Sequence, residues 1–95
     1  MSHVTNVILL TEIEESMGNF KPILDMIALL QVDAFAGGGN AMECDVYAGA
    51  FNCLEIDKLL EAFHSCTWEN PESVQLLIRD QHDERFAVYV PKGEE

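Results

Sequence analysis

Cationic residues are scarce in this sequence: 5 lysines and arginines stand against 17 aspartates and glutamates, a formal charge of -12 over 95 residues. Such a surplus repels nucleic-acid phosphates and anionic lipid headgroups over a Debye length of roughly 10 Å, which argues against direct binding to nucleic acid or to a membrane surface. Long apolar runs are missing as well. None approaches the roughly 18 residues needed to cross a bilayer, and the segment "NVILLT" is too short for the core of a secretion signal and lacks a basic leader. The expectation is a cytoplasmic protein. Cysteine is sparse: Cys44, Cys53 and Cys66 cannot all pair within one chain, and a disulfide framework belongs mainly to secreted domains, so free thiols are expected.

What is present suits one small domain. A chain of 95 residues with 48% hydrophobic content can bury one core and leaves no room for a second. The acids are spread among aliphatics along the whole length, unlike a disordered acidic tail.

Residues 4–12 read as a strand whose continuous apolar centre, Val7 to Leu10, suits a central position with neither face fully wet. "NFKPILDMIALL" at residues 19–30 has apolar residues at helical spacing, with Asn19 as a cap and Pro22 in the first turn. "QVDAFA" at 31–36 and the alternating "AMECDVYAGAF" at 41–51 read as two strands joined by glycines into a hairpin. Asn52 and Glu55 have the spacing of a capping box ahead of a second helix, whose stripe is Ile56, Leu59, Leu60 and Phe63. Two further strands, "SVQLLIR" at 73–79 and "RFAVYV" at 85–90, flank the polar turn "DQHDE". The order β-α-β-β-α-β plus one strand predicts an α+β ferredoxin-like two-layer sandwich, with both helices on one face of an antiparallel sheet.

Motifs that carry chemistry are hard to find. The glycines at 37–39 run from strand to strand, whereas a phosphate cradle runs from strand to helix and would avoid neighbours such as Asp33, Glu43 and Asp45; a hairpin turn is the expectation. His64 and Cys66 sit at a helix end, where the dipole opposes a thiolate. Cys53 stands at a helix start but has no basic residue close in sequence. The three cysteines lack the paired spacing of a zinc site, and Asp80, Asp83 and Glu84 lack the glycine of a calcium loop. Glu43 and Asp45 share a strand face and could act as an acid/base pair, but among 17 acids such neighbours arise by chance. No metal, no cofactor and no catalytic residue is assigned.

Attention therefore falls on the sheet face that the helices leave open. If Met42, Cys44 and Val46 face the helices, the open side carries Glu43, Asp45 and Tyr47, with Leu77 and Arg79 from a later strand, Gln75 beside them and Phe35 at the edge. Phe35, Glu43, Asp45, Tyr47, Leu77 and Arg79 are the candidate partner-binding residues. An apolar strip among acids suits an inhibitor- or immunity-type protein that docks a protein partner, a basic one above all, or a homodimer. The alternative is a small-molecule-binding protein or cofactor-free enzyme whose sheets pair into a dimeric α+β barrel, with Tyr47, His64, Trp68 and Tyr89 around a pocket.

Overall fold

The structure is a computed structural model that describes residues 4–32, 39 and 43–91. Strand β1 (Val4–Glu12) lies at the centre of the sheet, as its apolar run predicts. It pairs antiparallel along its whole length with β3 (Cys44–Asn52), from Val4 opposite Asn52 to Glu12 opposite Cys44. On its other side it pairs antiparallel with β4 (Gln75–Asp80), Leu9 standing opposite Leu76. The short strands β2 (Leu30–Val32) and β5 (Ala87–Tyr89) close the edges, giving the order β2-β3-β1-β4-β5. The chain is thus α+β: a five-stranded antiparallel sheet with two helices, compatible with a two-layer sandwich.

The first helix is much shorter than its periodicity predicts. A 3-10 turn over Met17–Phe20 leads into α1 (Lys21–Leu24), and the chain leaves helical geometry after Asp25 and Met26. "MIALL" fits two periods, and the extended one wins. Ile27 and Leu29 are buried two residues apart, while Leu30, which a helix would turn inward, is 76% exposed in β2.

The second helix, α2 (Ile56–Ser65), lies where its stripe predicts, burying Leu59 and Phe63. The capping box does not form. Asn52 is the last residue of β3, opposite Val4, and Cys53 reverses the chain at φ 57°. That leaves Glu55 at the helix cap without a side-chain hydrogen bond.

One core fills the space between helices and sheet. Val7 and Leu9 of β1, Leu76 and Ile78 of β4 and Tyr47 of β3 meet Phe20, Ile23, Leu59 and Phe63, with Val74 beneath. Phe20 stacks on Trp68 at 5.5 Å and meets Tyr47 edge-on at 5.2 Å, while Phe63 tilts against Trp68 at 5.9 Å. Such ring pairs contribute roughly 0.5–1.5 kcal/mol each beyond the area they bury.

The orientation of β3 is opposite to the one its polarity suggests. Register places Tyr47 beside Leu9, Gly49 beside Val7 and Asp45 beside Thr11, all on the helix side. Volume decides it. Tyr47 and Phe51 are the bulkiest side chains of the strand, and each ring can bury 150–250 Å², worth about 4–6 kcal/mol at about 25 cal/mol per Å². Turning Val46, Ala48 and Ala50 inward instead would bury far less, at about 0.8 kcal/mol per methylene-sized group. Asp45 is carried to the half-buried rim as a consequence. Gly49 answers to the same packing, because a Cβ there would stand 2.6 Å from the Phe51 ring.

Candidate functional site

Since side chains alternate along a strand, the residues between the core positions define the other face. No helix covers it. One row of apolar side chains runs in register across all five strands: Leu30, Ala48, Ile8, Leu77 and Val88. A second row, Val32, Val46 and Leu10, ends at Gln75. A third is polar at its end, with Ala50, Asn6 and Arg79. At the edges the apolar residues are widely open, Leu30 at 76% and Val88 at 57%, whereas Ile8, Leu10, Val46, Ala48 and Leu77 are half-buried.

The face is not flat. Ala48 and Ala50 form the floor of an open depression of about 400 Å³, walled by Ile8, Asn6 and Phe86. Leu10 and Leu77, half-buried on β1 and β4, lie on the same face outside it. Charge is almost absent here. Among the described strand residues on this side only Glu12 and Arg79 are charged, and the Arg79 Nε donates to the backbone carbonyl of Asp83 at 3.0 Å.

Two of the six expected partner-binding residues, Leu77 and Arg79, lie on this face. Tyr47 and Asp45 do not: the expectation that they look outward is corrected by their register and by the burial of Tyr47, which is 4% exposed. Burial first, and then the nearby Asp45 charge, raise the pKa of the Tyr47 phenol above its usual value. Glu43 is exposed just ahead of β3. Phe35 falls outside the described residues, as does Met42; Cys44 and Val46, expected beneath the helices, share the uncovered face. Sequence reasoning missed Leu30, Val32, Ala48 and Val88 as members of this face. The available signal was side-chain size: the small members of an alternating strand mark the side away from the core.

The other chemical candidates do not converge. Cys66 turns its thiol to the Ala62 carbonyl at 3.2 Å, and burial pushes its pKa up to about 11, the reverse of an activated nucleophile. His64 is exposed on the outside of α2, in a shallow depression with Asp57, Leu60, Glu61 and Ser65. Of the four residues weighed as a pocket lining, Tyr47 and Trp68 sit in the ring cluster of the core and Tyr89 packs against that core. Among the described residues no group of three His, Cys, Asp or Glu side chains is gathered as a metal site would require.

A carboxylate that composition alone did not single out proves to be buried. Glu15, 4% exposed, accepts hydrogen bonds from the Asn19 Nδ2 at 2.7 Å and from the backbone N–H groups of Glu69 and Asn70 at 2.7 and 3.3 Å. Burial works to raise its pKa, but these donors outweigh it and hold the carboxyl below its usual value. The side chain ties the turn after β1 to the loop after α2 and so belongs to the scaffold.

No family model matches the chain, and neither a curated protein nor a solved structure matches it.

Proposed function

We propose that this chain is a protein-interaction module that binds through the uncovered apolar face of its sheet. The order β2-β3-β1-β4, with β5 added at the edge, supports its reading as a ferredoxin-like, split β-α-β sandwich, an architecture that buries one sheet face and presents the other. The observation that carries the functional reading is the pair of apolar rows, Leu30-Ala48-Ile8-Leu77-Val88 and Val32-Val46-Leu10, lying in register, with Glu12 and Arg79 the only charged residues beside them among the described strand residues. Contiguous apolar patches of this kind mark contact surfaces, and depletion of charge is the compositional signature of an interface core. The acids expected to draw in a basic partner are displaced from this face, so the contact is apolar in character. A cytoplasmic setting belongs to the same reading and is supported by three cysteines without pairing motifs.

The test uses the immobilised chain, its Leu77→Lys variant and a control, Lys21→Glu, on the exposed side of α1. Polypeptides retained by wild type and by the control should be lost with Leu77→Lys, and retention should survive a rise from about 0.1 to 0.5 M salt. Anilinonaphthalene sulfonate fluorescence of the dilute chain should fall with the same variant. Retention and dye binding that ignore Leu77→Lys would refute the reading.

A further inference from the structure

We infer that the occupant of this face is a second copy of the chain, stacked sheet on sheet about a twofold axis running along β1. The inference rests on the interaction-module reading and names its partner. Three observations select a copy of the chain over a foreign surface.

The first is charge. The chain carries -12, yet the described strand residues of this face contribute one acid and one base, Glu12 and Arg79. Two copies can meet there while the acids of their helix layers point away and Glu12 stands at the end of β1, outside the apolar rows, whereas a strongly basic partner would find little to pair with. The second is shape. A twofold interface must complement itself. An axis along β1 lays β3 of one chain over β4 of the other, so that the large side chain of Leu77 meets the depression lined by Ala48 and Ala50, and Leu30 covers the partner's Val88. Stacked sheets interdigitate in this way at roughly 10 Å separation. The third is area. The three rows hold five, four and three positions, each taking about 4.8 by 7 Å, and outline a patch of roughly 400 Å². Two such patches remove roughly 800 Å² from water, just under the floor of about 1,000 Å² for a stable specific interface, so the dimer is weak and concentration-dependent.

Sedimentation velocity over a roughly thousand-fold concentration series tests it, with far-UV circular dichroism to confirm folding. Wild type should pass from one chain mass to two, and Leu77→Lys should remain at one. Leu77→Ala and Ala48→Leu should each raise the dissociation constant at least tenfold, and the double variant should recover most of that loss. In one chain these residues are separated by β1, with Ile8 between them, so recovery reads a contact between copies. A wild-type dimer that survives Leu77→Lys, or a double variant as weak as the singles, overturns the stacking. A chain that stays at one mass throughout, while dye binding and protein retention are still lost with Leu77→Lys, overturns the second copy and leaves the binding face standing. Loss of neither sinks both.

Discussion

Replacing Glu15 by Gln should lower stability by about 1–2 kcal/mol at pH 7 and by much less near pH 3. At neutral pH the carboxylate takes two short hydrogen bonds of 2.7 Å and a longer one of 3.3 Å from donors on two separate loops. Bonds to a charged acceptor contribute about 1.5–3 kcal/mol in favourable cases, roughly twice a neutral bond, and Gln keeps one acceptor oxygen while losing the charge. Glu15→Ala strips away every acceptor and should cost roughly 1–3 kcal/mol, because the part-buried N–H groups of Glu69 and Asn70 are left without this partner. The sign with pH follows from linkage. The folded pKa lies below the reference value of 4.5, so the unfolded chain takes up the proton first. The stabilisation is complete above the unfolded pKa and is lost as pH falls through the folded one. Urea unfolding of wild type and Glu15→Gln, at matched protein concentration from pH 7 to pH 3, reads the gap directly. A gap of the same size at both ends of the range would show that the charge is irrelevant, and a gap near zero at pH 7 would show that the three donors do not need this acceptor.

Gly49→Ala should destabilise by about 1–3 kcal/mol, since the new methyl group would stand 2.6 Å from the Phe51 ring; adding Phe51→Leu should return part of that loss in thermal unfolding. Cys66 should resist alkylation at pH 8, where a pKa of about 11 leaves roughly one thiolate in a thousand, while the exposed Cys53 is modified; mass spectrometry of tryptic peptides distinguishes them, and equal rates would contradict the burial of Cys66.

Fold class and site were legible to different depths. The centrality of β1 followed from its two-sided apolarity, and α2 and β4 followed from clean stripes, Leu59 with Phe63 and Leu76 with Ile78. α1 was over-read because "MIALL" satisfies a helical period and an extended one equally, and only its neighbour β3 decides between them by pairing with Leu30–Val32. The parity of β3 failed for a different reason. Polarity ranked Asp45 and Tyr47 together as outward residues, but folding weighs area, and the rings of Tyr47 and Phe51 outweigh an aspartate that can stop at the rim. A period-two strand read with the wrong parity inverts every residue it assigns, which is why an acidic face was expected and an apolar one stands in its place. Leu77 and Arg79 escaped the inversion because the parity of β4 is fixed by three aliphatics, Val74, Leu76 and Ile78, that leave no choice.

Salt discriminates between attraction by charge and stacking by apolar contact, and the two predict opposite signs. A basic partner held by the acids would be released as salt rises, because screening weakens the attraction. Two stacked copies, each carrying -12, repel one another, so screening should tighten them. Stacking turns the helix layers outward, away from a sheet separation of roughly 10 Å, so, Glu12 on the face itself excepted, the acids of the two helix layers lie further apart than the Debye length of about 8 Å at 0.15 M but well within the 30 Å reached at 0.01 M. The dimer dissociation constant should therefore fall several-fold between 0.01 and 0.15 M and change little beyond. Sedimentation equilibrium at the two salt concentrations decides it: a constant that rises with salt would mean that opposite charges hold the copies together, and the apolar rows of Ile8, Leu77 and Ala48 would no longer explain the association.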